Sequence, residues 1–482
     1  MSEIHFGTDG WRAVIAEQFT FDNVRRVADA IAVSARTLNP PADIDANALL
    51  VGYDRRFLSA EFAAVVAEAL RHAGYRVIVS DRPTPSQTIS FTARHRKLLG
   101  GVMVTASHNP ARYNGLKFKA WYGGSALTET YAAIAANVGK RDAREGGSQS
   151  EGNLFDDYVE AVRAQLDLDL LKSAKLAILH DPIHGAGATI PSKVLGLDYV
   201  GAQRILDRKQ QPLNATVIDG IRGDVNPGFG GVNPEPIPEN LVAAQNVMLG
   251  GDYDLAICND GDADRLGILD ERGNFVSPHK IISLLALYLV REKKRGGDIV
   301  KTFSTTRLIE KVAAALGARL IETPIGFKYV ADVMLAREVL IGGEESGGIG
   351  FGHFMPERDG ILSGLLVAEA VAYYGRPLSD IIERMEKEFG ALHYDRRDVH
   401  RPMEQCALLI ERVRGGELDT AFGRTFANRE ETDGVKMNFT DGSWILFRKS
   451  GTEPIIRIYC ESPDAGSVQS MLERAIEELD RG

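Results

Sequence analysis

Cysteine is scarce in this chain of 482 residues, which contains only Cys258, Cys406 and Cys460. The three lie far apart, and none belongs to a Cys-x-x-Cys or Cys-x-x-His pair. This spacing argues against a disulfide framework and does not suggest a zinc site. We therefore expect buried free thiols.

Long apolar runs and an excess of positive charge are also missing. No apolar stretch reaches the roughly 18 residues of a transmembrane helix, and residues 1–10 lack the basic and apolar regions of a signal peptide. The net charge of -10 argues against nonspecific binding to nucleic acid, which needs a basic surface. We expect a cytoplasmic protein with neither membrane nor nucleic acid among its partners.

The chain has enough hydrophobic residues to form several hydrophobic cores. Hydrophobic residues make up 44% of the chain and charged residues 25%, which is typical of globular proteins. The length predicts about three or four domains. Helical and strand patterns alternate along most of the chain, which indicates βαβ units and largely parallel sheets. Near the N-terminus these patterns are helix 21–36 with Thr20 as N-cap, strands 48–51 and 75–80, and between those strands a helix that Ser59 can cap.

The domain boundaries follow changes in composition. The polar, glycine-rich stretch 140–153 is interpreted as a linker that ends the first domain. A hairpin signal at 435–447 and an amphipathic helix from Val468 predict a smaller α+β domain at the C-terminal end. The predicted domains are 1–145, 154–270, 271–390 and 394–482.

A serine loop follows the predicted buried strand 101–104. Ser107, His108 and Asn109 leave the strand where parallel α/β folds bind their ligands, and Lys117 could act as an acid or base ten residues later. The same residue types also form ordinary turns, so the loop on its own leaves both interpretations open.

A carboxylate loop follows the predicted strand 254–258. Asp260, Asp262 and Asp264 stand at alternate positions and repel one another unless a cation neutralises them. A divalent metal site is the interpretation we favour over a solvated acidic turn.

Three further loops carry polar groups suited to a phosphorylated sugar. Arg12 lies in a glycine-containing loop near the N-terminus that fits an anion, and Glu344 and Ser346 could grip adjacent hydroxyl groups. The segment around Arg448 predicts a phosphate nest, although solvated surface turns are the alternative at all three places. Its candidate residues are Arg448, Ser450, Gly451, Thr452 and Arg457.

Four of these loops, in this order, resemble the motifs of the α-D-phosphohexomutase family over nearly the whole chain. The resemblance implies four domains around a deep central cleft, the first three of similar mixed α/β topology with largely parallel sheets and the fourth a smaller α+β domain. The matching segments are 105–110, 260–265, 343–347 and 448–454.

The resemblance also implies a chemistry. The family moves a phosphoryl group between C1 and C6 of a hexose phosphate through a phosphoserine and a bisphosphate, here glucose 1,6-bisphosphate, with Mg²⁺ as cofactor. It implies that Ser107 carries the phosphoryl group. Lys117 is the best candidate for moving the hydroxyl proton; since a normal pKa of about 10.4 would make it a poor base, nearby cations such as Arg12, Arg265 or the metal would have to lower that pKa. The remaining implied roles are metal binding by Asp260, Asp262, Asp264 and Ser107, support of the serine loop by His108, sugar binding by Glu344, Ser346, Gly326 and Lys328, and phosphate binding by Arg448, Ser450, Gly451, Thr452 and Arg457.

The sugar is less closely specified. The segment 343–347, which we call the sugar loop, has the form Glu344-Glu345-Ser346 at its centre. This form and the sequence 326–328 resemble phosphoglucomutases more than dual-specificity glucose/mannose enzymes or phosphoglucosamine mutases, with a phosphomannomutase or a dual-specificity enzyme as the alternative. Asp9 stands where serine is common in the family, and its role is open. We expect a monomer or a homodimer.

Three rival interpretations come from other classes. A calcium-binding EF-hand is excluded because Arg265 stands where that loop needs glycine and a strand pattern follows. A phosphatase with Asp260 as nucleophile would leave the serine loop without a purpose. A noncatalytic sugar-phosphate binding protein would take up ligand but incorporate no phosphate.

Overall fold

The computed structural model describes residues 4–7, 9–199, 213–450 and 454–481, and within these residues the chain forms four sheets in succession. Each sheet is packed by helices from its own part of the chain. The predicted fold class, three mixed α/β units followed by a smaller α+β unit, is confirmed. Gly451 and Thr452 of the predicted phosphate nest lie outside the described residues.

The first sheet has the order β1-β2-β6-β5-β3-β4-β8, with β7 paired to β6. Strands β5, β3, β4 and β8 are parallel, and β6 runs antiparallel to β5. Its strands are β1 Phe6–Gly7, β2 Gly10–Val14, β3 Asp45–Tyr53, β4 Arg76–Ser80, β5 Leu98–Val104, β6 Tyr113–Ala120, β7 Gly124–Ser125 and β8 Ser148–Gly152, and its helices are α1 Phe21–Ala35, α2 Ser59–His72, α3 Ser86–His95 and α4 Thr128–Asn137.

The second sheet has the order β10-β9-β11-β12-β13. Strands β10, β9 and β11 are parallel, and β12 turns back against β11. Its elements are α5 Asp156–Arg163, α6 Leu168–Ser173, β9 Ala177–Asp181, α7 Ile190–Leu195, β10 Val217–Gly220, α8 Val242–Gly250, β11 Leu255–Asn259, β12 Leu266–Asp270 and β13 Phe275–Val276.

The third sheet has the order β15-β14-β16-β17, with β17 antiparallel to β16. Its elements are α9 Pro278–Arg291, β14 Asp298–Thr302, α10 Leu308–Leu316, β15 Leu320–Thr323, α11 Phe327–Ala336, β16 Val339–Gly343, β17 Ile349–Gly350, α12 Gly360–Tyr374 and α13 Leu378–Phe389.

The fourth sheet is antiparallel throughout, in the order β18-β22-β21-β20-β19. Helices α14 and α15 pack against it. Its elements are β18 His393–His400, α14 Met403–Arg414, β19 Phe426–Glu430, β20 Val435–Phe439, β21 Trp444–Lys449, β22 Ile455–Ser462 and α15 Ala465–Asp480.

One topological feature recurs in the first three sheets. In each, a parallel strand is followed by an antiparallel neighbour, and the connection between the two is a functional loop from the sequence analysis. The serine loop joins β5 to β6, the carboxylate loop joins β11 to β12, and the sugar loop joins β16 to β17. The three loops therefore occupy equivalent places in three similar sheets.

The second and third sheets share a hydrophobic core around α12. Residues 360–371 of this helix are buried on every side, and Gly364 lets it approach β11 so closely that an added Cβ would lie 2.5 Å from Ile257 Cγ2. A helix that is apolar all round needs neighbours on all faces, so α12 fixes the two sheets against each other.

Two local predictions are wrong. The stretch 140–153 is not only a linker, because Ser148–Gly152 forms β8 and extends the first sheet beside β4. Ser59 does not cap α2, because Leu58 takes the N-cap position with a left-handed backbone and the Ser59 hydroxyl donates to Asp54 instead. The Thr20 cap of α1 is confirmed, since its side chain accepts from the Asn23 N–H group.

Cys258, Cys406 and Cys460 are buried and free, as expected. Within the described part of the chain, no helix combines the length and the apolar character needed to cross a membrane.

Gly101 in β5 provides a test of how tightly the first sheet packs. An added Cβ would lie 2.7 Å from Ile89 Cγ2 and 2.8 Å from Leu50 Cβ, so Gly101→Ala should lower the free energy of unfolding by about 1–3 kcal/mol. Gly296→Ala is the matched control, because no heavy atom of the described residues lies within 4 Å of the added carbon. Guanidinium unfolding of both variants measures the difference, and equal stability of the two would contradict the packing described.

Candidate active site

Ser107 lies at a backbone position that few residue types adopt. Its φ is 53°, its side chain is buried, and its N–H group donates to Thr105 Oγ1 at 2.9 Å. The Ser107 hydroxyl donates to Asp260 Oδ2 at 2.8 Å, which joins the serine loop to the carboxylate loop. Non-glycine residues with positive φ are uncommon and cluster at functional sites.

Arg56 holds the serine loop in place from the end of β3. Its guanidinium donates to the carbonyl oxygens of Ser107 and Asn109, both at 2.6 Å, and to those of Pro110 and Tyr113. Asp54 pairs with Arg56 at 3.2 Å. A buried arginine with these partners rigidifies the loop, because moving the loop would leave charged donors unsatisfied.

The carboxylate loop is buried and held by the first sheet's helix α3. Ser86 Oγ donates to Asp262 Oδ2 at 2.5 Å, and Gln87 Nε2 donates to Ala263 O at 2.8 Å. Gly261 passes close to the serine loop, since an added Cβ would lie 2.5 Å from Ser107 O. The two loops therefore pack backbone against backbone.

The residues of this loop fit a divalent cation. Asp260, Asp262 and Asp264 are buried and each offers an oxygen within 4.8 Å of the others. Among the described residues, Asp262 Oδ1 and Asp264 Oδ1 have no hydrogen-bond partner although they are buried. Hard carboxylate oxygens of this kind are the ligands that Mg²⁺ prefers.

Proton affinities within the triad differ. Burial, followed by repulsion from Asp262 and Asp264, raises the pKa of Asp260 well above its usual value. Burial acts in the same direction on Asp262, but Lys117 and the hydrogen bonds of Asp260, Lys117 and Ser86 outweigh it and lower that pKa. The triad is thus electrostatically coupled, as like charges at short range must be.

Lys117 corrects one expectation. It is fully buried on β6, and its Nζ lies 2.8 Å from Asp262, 3.3 Å from Asp264 and 3.2 Å from Asp9. Burial would lower its pKa, but these carboxylates prevail and raise it. The expected net lowering of this pKa is therefore wrong for the protein without a metal: Arg12 does act to lower it, but the nearest charged groups are anions and outweigh it. Lowering of the pKa by a bound metal stays a prediction.

Asp9 and Arg358 complete this cluster, and sequence reasoning left the first open and missed the second. Arg358 donates to Asp264 Oδ2 at 2.7 Å and to Asp9 Oδ2 at 3.0 Å, and lies 3.6 Å from Glu344. Burial would raise the pKa of Asp9, but Lys117, Lys119 and Arg358 lower it well below its usual value. The charged run 357–359 before α12 was the available signal in the sequence.

His108 and Arg12 contact the serine loop, and Arg265 lies near His108. Arg12 donates to Asn109 Oδ1 at 2.6 Å, His108 Nδ1 lies 3.4 Å from Ser107 Oγ, and Arg265 pairs with Glu235 at 2.9 Å. Burial and the neighbouring Arg265 and Arg12 lower the pKa of His108 well below its usual value. The lowered pKa favours the neutral imidazole.

The sugar loop packs directly on the carboxylate loop. Leu266 N donates to Gly347 O at 3.0 Å, and Gly347 has a φ of 86° with Leu266 O only 2.3 Å from an added Cβ. Burial raises the pKa of Glu344 to about 7, and its Oε2 has no hydrogen-bond partner among the described residues. Ser346 is half-buried in the same loop. Glu344 and Ser346 thus lie next to the carboxylate loop, as the convergence of loops predicts.

Gly326 and Lys328 lie at the start of α11. Gly326 is the N-cap with a φ of 132°, and Lys328 Nζ donates to Thr128 Oγ1 of the first unit at 3.2 Å. These two residues therefore border the junction between the first and third units.

The segment 448–457, which we call the phosphate segment, carries two arginines side by side. Arg448 on β21 lies directly opposite Arg457 on β22 in the strand register. Like charges at opposite positions destabilise a sheet unless an anion compensates them. Arg457 Nε lies 3.4 Å from Asp398, and Arg448 Nε donates to Asp433 at 2.9 Å. Ser450 N donates to Ile455 O at 2.9 Å.

The first three units bring together a hydroxyl, three carboxylates of which two have an unpartnered oxygen among the described residues, a buried ammonium and a protonatable glutamate. The fourth unit adds a pair of arginines. This set suits phosphoryl transfer to or from a polyhydroxylated phosphate. Sequence reasoning missed Asp54, Arg56, Arg358 and Asp433, although Asp54 and Arg56 directly follow β3 in a charged run.

The chain matches the models of one protein family in all four of its units. The phosphoglucomutase/phosphomannomutase family models for α/β/α domains I, II and III match residues 3–145, 156–273 and 277–389, and the model for the C-terminal domain matches 408–478. The chain belongs to the phosphoglucomutase/phosphomannomutase family, a family of phosphohexomutases.

Several relatives resemble it over nearly their whole length. A Thermococcus kodakarensis protein named phosphoglucomutase/phosphomannomutase is 31% identical over 98% of each chain. A Methanothermobacter thermautotrophicus protein named as a phosphoglucosamine mutase is 32% identical over 97% of this chain and 96% of its own. A solved structure from Thermus thermophilus, named as a phosphomannomutase, is 35% identical with a TM-score of 0.85 and full coverage of both chains. The relatives' names therefore agree on the family and differ on the sugar.

Binding of Mg²⁺ to the triad can be measured without turnover. A saturating ion should stabilise the protein by about 3 kcal/mol at a hundredfold excess over its dissociation constant and raise the melting temperature accordingly. Asp262→Asn removes a charged ligand and should abolish most of that shift, measured by thermal unfolding and calorimetric titration with MgCl₂. Asp252→Asn, an exposed carboxylate of the same unit, is the control and should keep the shift. An equal shift in both variants would exclude the triad as the binding site.

Proposed function

We propose that this protein is a phosphoglucomutase, which interconverts glucose 1-phosphate and glucose 6-phosphate through a phosphoserine at Ser107. The observation that supports this most strongly is the contact of Ser107 Oγ with Asp260 at 2.8 Å, at the edge of a buried carboxylate triad. A hydroxyl placed beside a cation site can carry a phosphoryl group whose charge the cation neutralises.

The residues divide the work of the proposed reaction. Asp260, Asp262 and Asp264 would hold Mg²⁺, which would supply charge neutralisation at a phosphoryl oxygen of phosphorylated Ser107. In the first transfer the bond between Ser107 Oγ and phosphorus breaks, and a bond from the sugar hydroxyl oxygen to phosphorus forms. One proton passes from that hydroxyl to Ser107 Oγ, so the product is a neutral serine and a sugar bisphosphate.

Lys117 is the proposed proton carrier. The carboxylates around it keep it an ammonium, which suits donation of a proton to the departing Ser107 oxygen. The amine so formed takes up the proton of the sugar hydroxyl, which restores the ammonium. Arg12 and the neutral His108 would hold the serine loop, and Arg265 would add positive charge beside it.

The second transfer requires the bisphosphate to present its other end. Glu344 and Ser346 would hold hydroxyls that are similar in both orientations, with Gly326 and Lys328 at the neighbouring junction. Arg448 and Arg457, with Ser450, Gly451 and Thr452, would hold the distal phosphate in either orientation. Glucose 1,6-bisphosphate is therefore both the intermediate and the agent that phosphorylates Ser107 at the start.

The choice of glucose rests on the Glu344-Glu345-Ser346 form of the sugar loop and on 326–328. Relatives named as phosphomannomutase and phosphoglucosamine mutase make those activities, or dual specificity, the alternatives. A noncatalytic sugar-phosphate binding protein is a more remote one. We expect the enzyme to act on free hexose phosphates in the cytoplasm, as a monomer or homodimer.

Steady-state kinetics test the proposal directly. With Mg²⁺ and a trace of glucose 1,6-bisphosphate, kcat/KM should be highest for glucose 1-phosphate among the 1-phosphates of glucose, mannose and glucosamine. Ser107→Ala should lose at least about 10³-fold in kcat, because it removes the phosphate carrier. Ser173→Ala, an exposed serine remote from the loops, serves as control and should keep full activity.

Two outcomes would count against it. A higher kcat/KM for mannose or glucosamine 1-phosphate would replace the assigned sugar and leave the chemistry in place. Full activity of Ser107→Ala would remove the phosphoserine, and with it the mutase mechanism.

A further inference from the structure

The turn between β19 and β20, residues 431–434, passes directly against β21. Gly434 has a φ of 97°, and an added Cβ would lie 2.4 Å from Phe447 O and 3.2 Å from Arg448 Cα. Only glycine accepts both this conformation and this closeness. The backbone therefore delivers its neighbour Asp433 to the side chain of Arg448.

The two carboxylate oxygens of Asp433 contact two different units of the chain. Asp433 Oδ1 accepts from Arg448 Nε at 2.9 Å within the fourth unit. Asp433 Oδ2 accepts from the backbone N–H group of Ile325 at 3.0 Å, in the third unit. Ile325 directly precedes Gly326, so one side chain joins the phosphate segment to the segment before α11.

This double contact lies beside a packed apolar junction. Ile325 packs against Phe303, Trp444, Leu446 and Tyr459, a cluster drawn from both units. The Asp433 side chain is only 25% exposed. Hydrogen bonds to a charged group are stronger than those between neutral groups, and partial removal from water strengthens them further. Both contacts of Asp433 should therefore stabilise the junction.

We propose that Asp433 is a positioning residue that orients Arg448 toward the distal phosphate and latches the fourth unit to the third while the phosphate is held. The inference rests on the proposed function. Because Asp433 occupies Nε, the two terminal nitrogens of the guanidinium remain for a phosphate, in the fork geometry that suits it.

The two hydrogen bonds of Asp433 respond differently when the third and fourth units separate. The bond to Arg448 lies within the fourth unit and persists, so the arginine stays oriented. The bond to Ile325 crosses the junction and breaks. Asp433 thus stabilises the closed junction between the third and fourth units and keeps Arg448 oriented for the phosphate whether the junction is open or closed.

Asp433→Ala tests this role, with Glu431→Ala as the matched control. Glu431 lies in the same turn, but its side chain is 43% exposed and pairs with Arg414. Loss of Asp433 should raise KM for glucose 1-phosphate roughly tenfold to a hundredfold and change kcat less than about threefold, because it weakens substrate and transition state alike. Glu431→Ala should leave both constants unchanged.

Asp433→Asn keeps the test available if the alanine variant is unstable in thermal unfolding. Its size and turn preference match aspartate, but its amide oxygen accepts from one donor while its NH₂ group faces the other. We expect KM to rise with this variant as well. Small-angle scattering without ligand should give both Asp433 variants a larger radius of gyration than the wild type and Glu431→Ala.

Three outcomes decide between the claims. Unchanged KM in folded Asp433 variants, or a loss confined to kcat, would overturn the positioning role. An unchanged radius of gyration would overturn the latch. If the wild type does not interconvert hexose phosphates, the proposed function fails, and the scattering comparison still decides whether Asp433 joins the two units.

Discussion

The structure depends on a charge cluster buried where three sheets meet. Lys117 from the first unit and Arg358 from the third lie between Asp9, Asp262 and Asp264, with N–O distances of 2.7–3.3 Å. Buried charges are tolerable only when paired, and removing one partner costs about 3–5 kcal/mol because it leaves the other uncompensated. The three units are therefore held in one arrangement by groups that also line the candidate active site, so stability and chemistry constrain the same residues.

Topology explains why the loops converge. The serine, carboxylate and sugar loops are the same connection in three similar sheets, each placed where a parallel strand gives way to an antiparallel one. Glycines then bring the loops together, since Gly261 faces Ser107 O and Gly347 faces Leu266 O at distances that no side chain allows. The fourth sheet is built differently and joins the others through packed side chains and Asp433, which suits a unit that holds a phosphate rather than one that reacts with it.

Local chemistry was predictable from the sequence, and long-range pairing was not. Helix 21–36 and strand 75–80 match the observed Phe21–Ala35 and Arg76–Ser80 closely, because their periodicity and flanking residues are local signals. The cap at Ser59 failed because its hydroxyl donates to Asp54 and accepts from Asn114, which is distant in the chain. The strand inside 140–153 is polar and exposed, so only its pairing with β4 reveals it. The lysine in the site was found, but its pKa direction depends on carboxylates more than 100 residues away.

In the mechanism we propose, Ser107 passes its phosphoryl group to a sugar hydroxyl and not to water. A single-turnover experiment tests it: the protein is phosphorylated with radiolabelled glucose 1,6-bisphosphate, freed of ligand, mapped to confirm label on Ser107, and mixed with glucose 1-phosphate in Mg²⁺. We expect the label to leave Ser107 within a turnover and to be recovered as glucose 1,6-bisphosphate and glucose 6-phosphate. Label recovered as inorganic phosphate at the same rate with and without sugar, or label that never resides on Ser107, would contradict it.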